Sequence, residues 1–363
     1  MVYKSSYILV PACLIFVIGI VMIFNTTSAD AIDHSLIEEY YGPFLRQIGY
    51  ACLAFLLSLL VYKVGYKKWI DYAPYLLFFF SLCLLAVFIP GIGISVNGAK
   101  RWISLFGFSI QPSEFVKYTI LVYFIYSLRA YGGKISTFKE FIGALKFLSI
   151  PFLLILLEPN NGTVAVMGMA LIALFFITRV PLSFWAMPMC VCIFMGTLFA
   201  WNLPYVRARI EVYRHPEKDL LGKGHQPFQA KIAAGSGGLL GRGPGASIQK
   251  FSYLPESQND YIAAIYAEEY GFLGILVLIA LYSIIAILGF KVAFLARDIE
   301  GVYIAASFSF LLSLQAFLNL AVVSGLLPST GLNLPFLSQG GSSLWANAMA
   351  LAMIMSVQTK RAI

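Results

Sequence analysis

Ten stretches of this sequence stay apolar over 16 to 23 residues, and a chain built from such stretches has few ways to fold. They lie at 7–24, 46–62, 73–90, 112–128, 141–157, 163–178, 182–201, 270–292, 302–324 and 343–358. About 20 helical residues cross the hydrocarbon core of a bilayer, and backbone polar groups in lipid must be satisfied inside a helix or a closed barrel. The expected fold is therefore all-α: a polytopic membrane protein with ten transmembrane helices, forming a single integral membrane domain over 1–363. Composition agrees, with 60% hydrophobic and 12% charged residues, where soluble chains carry about a quarter charged. Ala29-Asp30-Ala31 after the first run has the look of a cleavage site. The run is longer than the apolar region of a signal peptide, however, and reads as a retained helix.

Lys and Arg in the connecting segments set the orientation. With the N-terminus inside, thirteen basic residues fall on the cytoplasmic side, against Arg46, Lys100 and Arg101 in the short outer connections. Both termini are then cytoplasmic. The one long connection, about 202–269 between the seventh and eighth helices, is extracytoplasmic. Its Gly, Pro and aromatic content argues for a functional loop over plain disorder. The five cysteines lie within apolar runs, and His34, His215 and His225 lack ligand spacing, so neither a disulfide framework nor a metal-ligand set is expected. No basic run is interleaved with aromatics, which leaves nucleic-acid binding without support.

Chemistry-bearing residues concentrate on the outer side. Asp260, in YLPESQNDYIAA, stands just ahead of the eighth apolar run. A carboxylate in such a half-apolar setting suits a general base, and Asp is equally a favoured helix cap. Lys100 and Arg101 are adjacent cations that break the charge rule, which suggests an anionic head group as their ligand. Trp102 beside them suits an interfacial anchor. Glu114 and Lys117 open the fourth helix three residues apart, on one face, where ionisable groups normally face the bundle interior. Arg207, Arg209, Arg214, Arg242 and Lys250 add positive charge in the long loop. GSGGLLGRGPG there could wrap an anionic ligand or serve as a flexible linker. Gly340 to Ser343 form a plausible helix N-terminus with amides and hydroxyls, suited to an anion or to ordinary capping.

Taken together, NGAKRWI (97–103), QPSEFVK (111–117), EPNNGT (158–163), RARI (207–210) through GSGGLLGRGPGASIQKFSYLPE, the EEYGFLG run and GLNLPFLSQGGSS resemble the SEDS family (shape, elongation, division and sporulation). The GASIQKFSYLPE form, with Ser247, Gln249 and Lys250, is closer to its FtsW-type division branch than to the RodA-type elongation branch. The resemblance implies a peptidoglycan glycosyltransferase that polymerises lipid II in the bacterial cytoplasmic membrane. It places Asp260 on the family's essential carboxylate. Lys100, Arg101, Trp102, Glu114 and Lys117 fall on its polar cavity, and Lys250 and Glu256 on the flanking loop. Arg209, Gln249, Ser342 and Ser343 complete the candidate substrate contacts. Departures are Asn160 where the family often has Asp, Gln339 for a usual Tyr, and Tyr261-Ile262-Ala263 for Phe-Ile-Phe.

The implied reaction moves a sugar from a polyprenyl pyrophosphate to a hydroxyl of a second lipid-linked disaccharide. The acceptor must lose a proton, which assigns Asp260 as base. The leaving pyrophosphate needs countercharge, from Lys100, Arg101, Arg209 or a divalent cation such as Mg or Mn. Direct displacement predicts inversion; a retaining route would need a second carboxylate, for which Glu256 is the nearby option. The resemblance also implies a class B penicillin-binding transpeptidase and other cell-division proteins as partners. Two rivals are a lipid II flippase, with its essential charges at mid-membrane depth, and a scaffold for wall enzymes that would tolerate loss of Asp260.

Overall fold

A computed structural model describes residues 4–33, 42–96, 99–105, 108–202, 207, 211, 213, 224–251, 254 and 258–359. A 3-10 turn, Ser5–Ile8, leads into α1 (Leu9–Asp33), followed by α2 (Gly42–Val64), α3 (Tyr66–Asp71) and α4 (Ala73–Ala86). Three short strands come next: β1 (Gly93–Val96), β2 (Ala99–Leu105) and β3 (Phe108–Ile110). Helices α5 (Pro112–Ala130), α6 (Phe138–Leu145), α7 (Ser149–Leu157), α8 (Asn161–Ile177) and α9 (Leu182–Trp201) follow. The chain continues through α10 (His225–Ser236), α11 (Ile262–Phe294), α12 (Ile299–Val323) and α13 (Gly341–Thr359).

Helix occupies each of the ten apolar runs. By length and composition, four helices are able to cross a membrane: Ser5–Ser28, Gly42–Val64, Ile262–Phe294 and Ile299–Val323. The pair α6 and α7, bent by 49°, makes a fifth. Three details correct the sequence reading. The run expected as one helix over 141–157 is two helices that meet at this bend. The long connection contains a helix of its own, α10, and α11 begins at Ile262, eight residues before the expected start. The fold is also not purely helical, because β1, β2 and β3 form an antiparallel sheet in that order. The sequence carried its signal: Asn97-Gly98 lies between two runs of alternating side chains, a strong hairpin cue.

The core forms where helices present small or branched residues to one another. Helix α5 is the most enclosed, with Val116, Ile120, Leu121 and Phe124 all buried. Phe124 packs on Phe175 of α8 at a 5.0 Å centroid distance, and Tyr118 on Phe308 of α12 at the same distance. On the outside, Phe55, Tyr75, Phe78 and Leu153 stand exposed, as side chains bathed by acyl chains do. An apolar groove of about 480 Å³ runs between α1, α2 and α13, lined by Phe16, Ala51, Tyr62, Leu344 and Ala348 among others.

The two ends of the bundle differ in chemistry. At one end Arg129, in the last turn of α5, pairs with Glu300 and Asp71, and Lys67 pairs with Asp298 at 2.9 Å. These are exposed or half-exposed pairs, worth little individually. The opposite end gathers the start of α5, the sheet, the start of α8, the end of α12, the start of α13 and Asp260.

Candidate active site

Pro112 starts α5 with its fixed φ, and the first turn then sends Glu114 and Lys117 inward. Lys117 Nζ donates to Glu114 Oε2 at 2.8 Å and to Gln315 Oε1 of α12 at 2.5 Å. Lys117 is 1% exposed and Glu114 6%, so the pair is desolvated and depends on its mutual charge and on Gln315. Gln315 Nε2 in turn donates to the Asn333 carbonyl, 2.7 Å away. One turn further along α12, Asn319 Nδ2 donates to the carbonyls of Leu332 (2.7 Å) and of Asp260 (2.8 Å). Gln315 and Asn319 thus connect the Glu114–Lys117 pair, the 332–333 backbone and the main chain of Asp260.

Asp260 is half-buried in a turn before α11, and its Oδ2 lies 3.7 Å from where a Cβ on Gly331 would stand. Tyr261 is the N-cap residue of α11, and its own side chain makes no capping hydrogen bond. The carboxylate of Asp260 therefore faces the loop before α13, on a main chain anchored from behind by Asn319.

The glycine-rich stretch braces α11. Helix α11 is interrupted at Gly271, with φ 66° and ψ −164°. Four backbone hydrogen bonds from the 238–243 segment bridge the interruption. Arg242 and Gly243 amides donate to the Glu268 and Glu269 carbonyls, while Phe272 and Leu273 amides donate to the Gly238 and Leu239 carbonyls. The backbones approach so closely that a Cβ on Gly241 would stand 2.1 Å from the Glu269 oxygen, and one on Gly271 2.3 Å from the Gly241 nitrogen. The stretch is a splint on a broken helix.

Lys250, through its side chain, and Gln249, through its main chain, are tied to the same splint. Lys250 is buried, donating to Asn25 Oδ1 (2.5 Å) and the Gly245 carbonyl (2.6 Å), with Glu269 Oε1 at 3.4 Å. The Gln249 amide donates to Glu268 Oε2 at 3.3 Å. Glu268 also receives the Ser247 hydroxyl at 2.5 Å, and Arg242 lies 3.6 Å from it. Ser342 and Ser343 are likewise engaged within the chain. Ser342 Oγ accepts from the Gln111 amide at 2.9 Å, and Ser343 Oγ from Asn347 Nδ2 at 3.2 Å. Asn347 also accepts the Tyr118 hydroxyl at 2.8 Å.

The sheet gives the two adjacent cations different surroundings. A bulge at Arg101 interrupts β2, since Ile94 of β1 pairs with Trp102 while the next residue, Ser95, pairs with Lys100, so Trp102 and Lys100 lie on opposite faces. Lys100 is exposed and Trp102 half-buried. Arg101 reaches the end of α7, with Nε donating to the Glu158 carbonyl (3.1 Å) and Nη2 to the Pro159 carbonyl (2.6 Å). Burial pushes the Glu158 carboxyl up to about 8, the nearby Arg101 charge pulling the other way. Asn160, the family departure, donates to Ser113 Oγ at 3.3 Å and caps α8. Arg209 and Glu256 lie outside the described residues.

Gln315, Asn319, Glu158, Glu268, Glu269 and Asn25 are participants that reading the sequence did not single out. Gln and Asn four apart in the apolar FLLSLQAFLNLAVV were a visible signal, because polar side chains inside a span face a partner or a cavity. Among the described residues no three His, Cys, Asp or Glu side chains gather as a metal cage.

Comparison with known proteins shows the family and the fold. Residues 5–363 match the family model of the cell cycle proteins FtsW, RodA and SpoVE. The chain is 36% identical over 356 residues to the probable peptidoglycan glycosyltransferase FtsW of Geobacter sulfurreducens, covering 97% of this chain and 94% of that one. It is 34% identical over 347 residues to stage V sporulation protein E of Bacillus subtilis, covering 95% and 94%. Among solved structures, a chain of a peptidoglycan synthase complex that coordinates polymerization and crosslinking superposes with a TM-score of 0.78 at 22% identity, covering 98% of both chains. RodA of Thermus thermophilus gives 0.70 at 22% identity, covering 97% and 95%. With the family model matched along nearly its whole length, the chain belongs to the SEDS family of FtsW, RodA and SpoVE cell cycle proteins.

Proposed function

We propose that the chain is a peptidoglycan glycosyltransferase of the FtsW type, polymerising lipid II at the outer face of the bacterial cytoplasmic membrane during septal wall synthesis. The observation that carries the reading is the position of Asp260. Its main chain is tied through Asn319 and Gln315 to the buried Glu114–Lys117 pair, at the end of the bundle that also bears Lys100 and Arg101. Homology to proteins named as probable peptidoglycan glycosyltransferases supplies the substrate class.

In this reading Asp260 takes the proton from the acceptor hydroxyl as the new glycosidic bond forms. The leaving lipid pyrophosphate is already a stable anion and needs countercharge, which Lys100 and Arg101 supply from the sheet. One base and direct displacement give inversion at the sugar carbon. The apolar groove between α1, α2 and α13 suits a polyprenyl chain, because Leu344 on its wall directly follows Ser342 and Ser343. The chain crosses the membrane ten times with both termini cytoplasmic. It works with a class B penicillin-binding transpeptidase and other division proteins.

The test is polymerisation of lipid II by the purified protein with its transpeptidase partner, with and without divalent cation. Wild type is expected to make glycan strands, and Asp260→Asn to make none while retaining its melting temperature. Polymer from Asp260→Asn would remove the base assignment. No polymer from wild type, with lipid II crossing vesicles that hold the protein, would replace the enzyme with a flippase.

A further inference from the structure

The end of α7 holds a carboxyl that the proposed chemistry does not use. Glu158 is 1% exposed, and among the described residues neither of its carboxylate oxygens has a hydrogen-bond partner. Arg101 lies against it yet donates to main-chain carbonyls at the C-terminal end of α7, where the helix carries partial negative charge. The guanidinium is thereby held in place without a hydrogen bond to the carboxylate.

The surroundings of Glu158 are poor in charge. Helices α4 and α8 pack on α7, and their titratable groups are Tyr75 and Cys83, both on α4. Helix α5 brings Glu114 and Lys117, which pair with each other. Strand β2 brings Lys100 and Arg101, and of these Arg101 is the charge that acts on the carboxyl. Burial without a hydrogen bond keeps such a group protonated at neutral pH.

We propose that Glu158 is a positioning residue for Arg101, and that its protonation state sets how much positive charge this edge of the sheet presents to a lipid diphosphate. With Glu158 protonated, the two side chains together carry one positive charge. With it ionised they carry none, and the carboxylate also draws the guanidinium off the helix end. The inference rests on the reading of Arg101 as a diphosphate contact.

Farnesyl diphosphate is a suitable probe, because it carries the diphosphate without the sugars and so reads binding apart from Asp260 chemistry. Its Kd for the full-length protein in detergent is measured between roughly pH 6.5 and 9.5, either side of the carboxyl's value near 8. Glu158→Gln, a neutral near-isostere, is expected to keep the low-pH affinity throughout. Wild type is expected to lose on the order of tenfold relative to Glu158→Gln as pH rises, the loss a neighbouring charge produces at intermediate dielectric. Arg101→Ala is expected to bind weakly at every pH. Ionisation of the probe affects all three proteins alike and cancels in the ratio. Parallel pH profiles for wild type and Glu158→Gln, with Arg101→Ala still weak, would overturn the role of Glu158 and leave Arg101 standing. Wild-type binding by Arg101→Ala would overturn the diphosphate reading of Arg101, and the inference with it.

Discussion

Lys117, Lys250 and Arg101 are three cations of one polar end, and what each does follows from what its head group touches. Lys117 is sealed between Glu114 and Gln315, so removing one partner leaves the other charge buried and unpaired. Lys117→Met is expected to destabilise by about 3–5 kcal/mol, while the double variant with Glu114→Gln recovers much of that loss. Thermal unfolding in detergent checks this; a double variant no more stable than the single would show that the pair is not the unit. Glu158 carries a pH prediction of the opposite kind. Its folded value, about 8, lies above the ordinary 4.5, so between these values the folded state holds a proton that the unfolded chain has lost. Stability therefore falls as pH rises through that window, and the penalty is complete above 8. Relative to wild type, Glu158→Gln is expected to gain stability with rising pH, on the order of a few kcal/mol by pH 9. Equal pH slopes in a melting series would refute it. Sequence reading identified Glu114, Lys117 and Arg101 because charge inside or beside an apolar run is conspicuous. It did not give the partners of Lys250, Asn25 and Glu269, which are 225 and 19 residues away. Contacts at such separations leave no local pattern.

At the scale of elements, the helix ranges were legible because apolar length measures a span directly, and the departures have physical causes. Helix α11 starts earlier than expected because Glu268 and Glu269 interrupt the apolar run, yet both are buried on partners from the splint. Asn25 of α1 reaches Glu269 as well, so one cluster joins α1, α11 and the segment between α10 and α11. Asp260 stands at the head of the α11 segment thus held. The glycines make this possible: positive φ at Gly241 and Gly271, and backbone contact with no room for a Cβ. Gly241→Ala and Gly271→Ala are each expected to cost about 2–5 kcal/mol, combining backbone strain with overpacking. Gly235→Ala, in α10 with open space where its Cβ would stand, is the control and is expected to be neutral or slightly stabilising. Proteolysis rates and melting temperatures of the three variants test this, and a tolerant Gly271→Ala would refute the splint. The β sheet was missed because a search for spans passes over short strands, although Asn97-Gly98 marked the place.

At the scale of the whole molecule, the polar end and the cationic end lie on opposite sides of a bundle about one bilayer thick. Helix α5 alone, at 19 residues, separates Pro112 from Arg129 by roughly 25 Å. Charge asymmetry then makes a prediction about sidedness that does not depend on catalysis. Ser104, exposed on β2, belongs to the Asp260 end; Ser136, exposed ahead of α6, belongs to the Arg129 end. If the positive-inside reading is right, Asp260 and the sheet face outward, where lipid II is consumed, and Arg129 faces the cytoplasm. In a chain with its native cysteines replaced by serine, Ser104→Cys is expected to react with a membrane-impermeant maleimide in intact spheroplasts. Ser136→Cys is expected to react only after permeabilisation. The reverse pattern would put Asp260 on the cytoplasmic side, where no extracytoplasmic polymerisation could reach it. The glycosyltransferase reading would then fail even if the site geometry were correct. Labelling of both sites in intact cells would instead mean that α5 does not cross, and the ten-span arrangement would fall while the family assignment stood.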